Sequence, residues 1–354
     1  MAINTAPTFS VGDAKVTTAI GPDSDFGYGV ALQPDGKIVV VGFTSFPTVN
    51  NDDWIVLRFN ANGSPDLNFG TGGRTLTDFA GMNDQAKSVL IQPDGKIVVS
   101  GQAQVGTPLT VDQDFAVVRY LANGTPDPGF GGGDGKSTLN VGGHSDFVNA
   151  AALQADGKIV VVGRVFTDNG SGNSDMGVAR FFGSGDVDTT FGHQGTQRID
   201  FKEGIVPVNF DGGDWDEALD VLIQGDGKIL IGGYIIRPGV FSVALVRLVT
   251  SGDIDTQFGM VSSPAIEKAA GIALQADGKI VAAGPAGVDF GIARFTSDGQ
   301  LDQTFQDDGK LLVDFFGAFD AATDVVIQPD GKIIAAGSAR NGSGGGLGIV
   351  RVVP

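Results

Sequence analysis

Short apolar runs recur along this chain, each closed by a break rich in Gly, Asn or Asp. A first run, such as "GVALQ" (29–33) or "SVLIQ" (88–92), precedes a fixed polar phrase, and a second, such as "KIVVVG" or "KILIGG", follows it. A third run comes after a variable gap: "DWIVLRF" (53–59), "DFAVVRY" (114–120), "DMGVARF" (175–181), "SVALVRL" (242–248), "DFGIARF" (289–295) and "LGIVRV" (347–352). A turn such as "NANG" (60–63), a Phe-Gly step and a fourth run such as "GRTLTDF" (73–79) complete the set. Runs this short, rich in Val, Ile and Phe and bounded by turn formers, predict strands. Four strands in each repeat of roughly 50–70 residues predict the blades of a propeller.

The polar phrase marks the repeat. "QPDGKI" stands at 33–38, 92–97 and 328–333, "QADGKI" at 154–159 and 275–280, and "QGDGKI" at 224–229. Successive glutamines lie 59, 62, 70, 51 and 53 residues apart. The 26 residues after Gln328 and the first 33 of the chain together make one ordinary repeat. The early segment "FSVGDAKVTTAI" (9–20) aligns with the fourth strand of other copies. The expected fold is therefore all-β: a six-bladed propeller of four-stranded antiparallel blades, one domain over residues 1–354. The N-terminal strand 9–20 closes the last blade, so no sheet edge is left to recruit other chains. Copy four has only 17 residues from Phe258 to Gln275, against 23 or 24 in most copies, which predicts a short or irregular fourth strand there.

Within the phrase, proline presets the first turn position, aspartate suits the next, and glycine accepts positive φ. The turn expected is type I with a glycine bulge, joining first and second strands. Ala155, Gly225 and Ala276 replace the proline, while Asp-Gly persists in all six copies. That pattern fits a steric demand better than a binding role. A cationic ring of Lys37, Lys96, Lys158, Lys228, Lys279 and Lys332 is the competing reading, weakened by an aspartate two residues before each lysine.

The repeat "VALQPDGKIVVVG" with "DFAVVRYLANGTPD" and its Phe-Gly step resembles the delta-sixty repeat family of bacterial β-propellers over nearly the whole chain. The resemblance implies repeats of large secreted or surface-anchored proteins, beside cadherin-like or immunoglobulin-like modules. An adhesive or scaffolding role outside the cell follows as an expectation, for a monomeric domain of a larger protein. The resemblance supplies no catalytic residues.

Composition narrows the partners. Lys and Arg number 23 against 41 Asp and Glu, a net charge of −18, so the basic footprint of a nucleic-acid binder is missing. An anionic membrane surface is disfavoured for the same reason, and no apolar run approaches a membrane span. The N-terminal "MAINTAPTFSVG" lacks a basic segment followed by an apolar stretch, so no signal peptide is read in it. There is no cysteine, which removes disulfides and thiolate metal sites. Acidity, 56 glycines and no cysteine suit an extracellular protein that uses calcium, the one cofactor expected.

Three groups of residues carry candidate chemistry. Each third strand has an arginine (Arg58, Arg119, Arg180, Arg247, Arg294, Arg351), and five repeats follow it with Asp-x-x-Phe at Asp66, Asp127, Asp188, Asp255 and Asp302. Arginine forks suit carboxylates, so a repeated clamp is the favoured reading over an anion site. An acid stands eight residues before every repeat glutamine: Asp25, Asp84, Asp146, Asp216, Glu267 and Asp320. Six such carboxylates on one face either cap backbone amides or share calcium. The densest cluster, "DGGDWDE", adds Asp211, Asp214 and Glu217 to Asp216 as calcium ligands, and its Trp215 is unaligned with other copies. Trp54 aligns with Phe115 and Phe290 and is expected in the core.

Catalysis has little support. His144 and His193 occupy unmatched positions and neither belongs to a zinc motif. The expected function is a binding or adhesion module whose variable loops meet a glycan or protein ligand near Trp215, Asp216, Phe319 and Asp320. A calcium-dependent hydrolase of the lactonase kind, known on six-bladed propellers, and a structural spacer are the alternatives.

Overall fold

The computed structural model describes residues 20, 24–46, 51–79, 83–105, 112–166, 174–199, 215–237, 240–341 and 344–353. Segment 9–19, Asp211 and Asp214 lie outside them. Among the described residues there is no α-helix, and the strands group into sheets that follow the repeat.

The described chain forms two compact units, Met1–Val161 with Ala179–Asp188, and Val162–Val178 with Thr189–Pro354. The first unit holds two four-stranded antiparallel sheets in strict chain order. They are β1 (Asp25–Leu32), β2 (Ile38–Phe46), β3 (Asn51–Phe59) and β4 (Arg74–Thr77), then β5 (Asp84–Ile91), β6 (Ile97–Val105), β7 (Asp112–Tyr120) and β8 (Lys136–Leu139). The division between the units runs through the third set, β9 (Asp146–Leu153), β10 (Ile159–Phe166), β11 (Ser174–Phe181) and β12 (Thr196–Ile199). The second unit continues with β13 (Trp215–Ile223), β14 (Ile229–Arg237), β15 (Val240–Leu248) and β16 (Met260–Ser263), which the Ser174–Trp215 bridge between β11 and β13 joins to the third set as one eight-stranded sheet. A further four-stranded sheet has β17 (Gly271–Leu274), β18 (Ile280–Ala286), β19 (Asp289–Phe295) and β20 (Lys310–Val313). The last sheet has three described strands, β21 (Ala321–Ile327), β22 (Ile333–Arg340) and β23 (Gly345–Val352).

Side chains alternate across each strand, so both faces of an interior sheet must be covered by neighbours. In the first unit Val39, Val41, Trp54, Val56 and Phe69 pack with Ala86, Ile97, Val99, Val118 and Tyr120 in one buried cluster. In the second, Leu230, Leu245, Phe258, Ile272, Ile280 and Phe295 form a core, and Val281, Phe290, Ile292, Phe305, Ile333 and Ala335 another. Trp54, Phe115 and Phe290 are each fully buried, as their alignment predicts. Trp54 also donates its indole N–H to the Gln102 carbonyl at 3.1 Å.

Copy four corrects one expectation. Its fourth strand β16 has four residues, the same length as β4, β8, β12 and β20, and pairs regularly with β15 from Val243↔Ser263 to Val246↔Met260. The shortening falls on the link and on β17, reduced to four residues. Backbone bonds hold that link close: Val243 N–H to Ile266 O, Ala269 N–H to Gly233 O, and Glu267 N–H to Pro285 O, at 2.9–3.0 Å. A shorter connection thus spends its residues on pairing with neighbours and leaves fewer for its own strand.

Candidate functional site

At one end of each sheet the repeat phrase forms the same turn six times. Gly36, Gly95, Gly157, Gly227, Gly278 and Gly331 all have φ between 82° and 84°, the left-handed region that only glycine enters without strain. The Gly36 N–H bonds the Gln33 carbonyl at 2.9 Å, and the Asp35 carboxylate accepts the Lys37 N–H at 3.1 Å. Beside this turn lies the arginine clamp. The Nε of Arg58, Arg119, Arg180, Arg247 and Arg294 meets Oδ2 of Asp66, Asp127, Asp188, Asp255 and Asp302 at 2.7–2.8 Å. The motif's phenylalanine takes the other side of the guanidinium: Arg58 over Phe69, Arg119 over Phe130, Arg247 over Phe258 and Arg294 over Phe305, at 4.5–4.8 Å.

The repeat lysines join this clamp. Lys37, Lys96, Lys228 and Lys279 reach the same buried aspartates at 3.0–3.7 Å. Burial alone would raise the Asp127 and Asp255 carboxyls, but backbone and lysine hydrogen bonds and the arginine outweigh it and hold both below the usual range. Arg58, Arg119 and Arg247 also donate to a carbonyl of the following repeat, at Ala122, Gly183 and Ser297. In five copies the phrase and its arginine are construction, with the arginine matched to an aspartate.

The acids at fixed offset sit at the other end of the strands, and five of the six cap backbone. Asp84 Oδ2 accepts the Phe79 N–H at 2.6 Å, five residues back, and Oδ1 accepts the Gln104 N–H at 2.9 Å. Asp320 does the same with Phe315 and Arg340, both at 2.8 Å. Asp146 accepts from Val141 and Gly142, Asp25 from Ile20 at 2.8 Å, and Glu267 from Gly287 at 3.1 Å. Asp216, the second residue of β13, is buried. Burial pushes the Asp84 and Asp146 carboxyls up to about 7 against the pull of those N–H bonds.

One carboxylate set in the described residues has cation-holding geometry: Asp53, Asp78 and Asp84, with ligand oxygens within 4.8 Å of one another. Calcium takes six to eight oxygens. Asp84 brings oxygens that already accept two N–H bonds, and Asp53 has one held by Asn51, so the fit to calcium is partial.

Trp215 opens β13, 37% exposed, beside Ser174, with which it makes a single parallel bridge. Its ring meets Phe166 edge-on at 6.4 Å, and the Arg164 guanidinium lies 5.7 Å from its centre and 4.9 Å from that of Phe166. Arg164 also approaches Glu217 at 3.5 Å, and the Tyr234 hydroxyl donates to Glu217 Oε2 at 2.7 Å. Burial, and then the Glu217 charge, push the Tyr234 phenol up, so it stays a donor. Phe241 stands 6.0 Å from Tyr234, and Lys268 Nζ lies 5.6 Å above the same ring. Glu217, read from sequence as a calcium ligand, is thus placed in an aromatic and cationic setting. Phe319 and Asp320 lie just before β21, where the Arg340 guanidinium is 6.0 Å from the Phe319 ring, a setting separate from that of Trp215.

Sequence reading missed Arg164, Tyr234, Phe241 and Lys268, yet a signal was present. The residue after the repeat glycine of the second strand is Phe43, Gln102, Arg164, Tyr234, Pro285 or Ser338, different in every copy while the glycine before it is constant. In the first sheet that position builds a comparable set. Phe43 stacks on Phe26 at 4.8 Å and Tyr28 at 6.0 Å, and Lys87 Nζ stands 3.5 Å above Tyr28, its pKa lowered by burial to about 8.

Antiparallel strand sets that repeat in chain order with the sequence motif are the arrangement of β-propeller blades. The chain belongs to the DUF5122 β-propeller family, a domain of unknown function, which matches residues 33–69, 92–130, 154–191, 224–258, 275–305 and 328–352. No curated protein matches it. Among solved structures it is similar to the polysaccharide lyase Uly1, 12% identical over 91% of this chain and 76% of that one, with a TM-score of 0.52. It is also similar to a mutant of the alpha-L-arabinofuranosidase Arb93A from Fusarium graminearum, 10% identical over 92% of each chain, TM-score 0.51. A gluconolactonase from Xanthomonas campestris superposes with a TM-score of 0.38 at 12% identity over 85% and 86% of the two chains. At these identities the likeness to the lyase and the arabinofuranosidase is one of fold.

Proposed function

We propose that this protein is an extracellular binding or adhesion module, a member of the delta-sixty kind of repeat, that meets a glycan or protein ligand through side chains at the end of its strands opposite the repeat turns. The observation that carries the reading is the position after the repeat glycine, which changes in every copy while the turn end stays constant. An exposed aromatic beside a cation, as at Trp215 and Arg164, is the composition of a recognition surface. The test is a glycan and protein array probed with the whole chain, with calcium and with EDTA. Binding lost on Trp215→Ala is expected. An array with no binding, together with saturable hydrolysis of a lactone or ester, would replace the module by an enzyme. Binding unchanged in EDTA would remove calcium from the reading.

The same proposal includes a ring of six blades with residues 9–20 as the fourth strand of the last. Two observations support it. Ile20 bonds Asp25 as Phe79 bonds Asp84 and Phe315 bonds Asp320, and in those copies a strand ends two residues earlier. The apolar face of the first sheet is open as a cavity of about 440 Å³ lined by Ile20, Ile38, Val40, Ile55, Leu57 and Phe59. The counterparts Ile97, Val99, Ala116, Val118 and Tyr120 in the second sheet are fully buried. Deleting residues 1–20 is expected to lower Tm and promote association through the exposed edge. A truncated chain that stays monomeric and melts like the intact one would sink the closure.

A further inference from the structure

Resting on the binding reading above, we infer that the fourth sheet carries a shelf for a carbohydrate chain bearing carboxylates, with Lys268 as its charge-reading residue. Register sets the shelf. Trp215 pairs with Ile236 and Ile236 with Phe241, so these three side chains leave the sheet on one face, as do Glu217, Tyr234 and Val243 one row along. Two strand spacings separate the ends of each row, about 10 Å, which matches two successive sugar rings. Phe241 at 45% exposure and Trp215 at 37% are open at the two ends of the first row, ready to cover the apolar faces of such rings.

The polar groups choose the kind of sugar. Tyr234, largely buried, donates to Glu217, and Arg164 approaches the same carboxylate, so these three orient one another and leave the partly exposed Arg164 and Glu217 to meet hydroxyls. Lys268 is different. It lies over the Tyr234 ring, and among the described residues it makes no ion pair. Its sequence neighbour Glu267 turns its carboxylate to the Gly287 N–H instead. Among the described residues the Lys268 ammonium thus stands beside the Arg164–Glu217 pair without an ion pair of its own. A neutral sugar would leave the Lys268 ammonium unmatched when its water is displaced, whereas a uronate carboxylate satisfies it. A polyanion without ring faces would use only the charge and leave Trp215 and Phe241 idle.

The experiment is calorimetric titration of the whole chain with oligomers of galacturonate, glucuronate and mannuronate, each beside its carboxyl-reduced counterpart. At least one uronate is expected to bind, weakening roughly 10- to 100-fold on carboxyl reduction and by a similar factor in Lys268→Met. Lys268→Gln serves as a second variant should the first lose its fold, judged by Tm. Phe241→Ala should weaken the reduced and the acidic sugars alike. Equal binding of acidic and reduced oligomers would overturn the carboxylate inference and leave the binding module standing. Binding of uronates undiminished in both Lys268 variants would overturn the role of that residue. No binding of any oligomer would overturn the shelf, and the array described above decides the module independently.

Discussion

The two ends of the strands in this molecule were made to different rules. At the turn end, Gln-x-Asp-Gly-Lys recurs with nearly the same angles, and the arginine clamp recurs at nearly the same distances in five copies. At the far end, the position after the repeat glycine is aromatic in one copy, an amide in the next, then cationic, then phenolic. A repeated backbone needs repeated turns, because register is lost if a turn changes length or handedness. Past the turn, a side chain that only its neighbours constrain is free to differ. Where a repeat protein stops repeating is therefore the place to look for recognition.

The largest expected effect tests that division directly. Arg119→Ala leaves the Asp127 carboxylate buried beside only Lys96, and should cost about 3–5 kcal/mol in urea denaturation. Phe241→Ala, an exposed ring at the far end, should stay within about 0.5 kcal/mol of the parent. Comparable losses at both would erase the distinction between the built end and the varied one.

A finer contrast lies inside the turn. An added Cβ at Gly157 meets nothing within 4 Å, but its φ of +83° should make Gly157→Ala destabilising by about 1–2 kcal/mol. Gly225, in the proline position, also has open space and no positive φ, so Gly225→Ala should be neutral or stabilising by about 0.4–1 kcal/mol. Thermal melts that move the same way for both would contradict the steric account of the phrase.

The ends should also separate by pH. Asp84 and Asp146, raised to about 7 in the fold from 3.8, keep protons that the unfolded chain releases, so their contribution to stability falls as pH rises from about 4 to 7. The clamp residues Asp127 and Asp255 are lowered instead, so their contribution is present above the ordinary carboxylate range and is lost as pH falls through it. Asp84→Asn with Asp146→Asn should flatten the decline in Tm between pH 5 and 7 by about a degree or two. An unaltered decline would assign it to other groups.

Much of the fold was legible because its signals are local. Six copies of one turn, four apolar runs per copy and a positive-φ glycine in each are facts of neighbouring residues, and the strands followed them. The Arg–Asp–Phe clamp was legible too, since equal spacing in five copies puts the same groups at the same end of a sheet. The short fourth strand expected in copy four failed because length alone does not say which element gives way. Hydrogen bonds from the link to Val243 and Gly233 preserved β16 and shortened β17 instead.

The candidate site divided along the same line. By itself the sequence determined the repeat, its turns, the acids at fixed offset and the unaligned Trp215. Only the tertiary structure decided that five of those acids cap backbone N–H groups, and that Arg164, Glu217, Tyr234, Phe241 and Lys268, spread over about a hundred residues of chain, share one surface. The reason is physical. A turn is fixed by the φ and side chains of four or five consecutive residues, whereas a surface between sheets is fixed by register and packing, which bring together residues whose spacing along the chain carries no trace of their meeting.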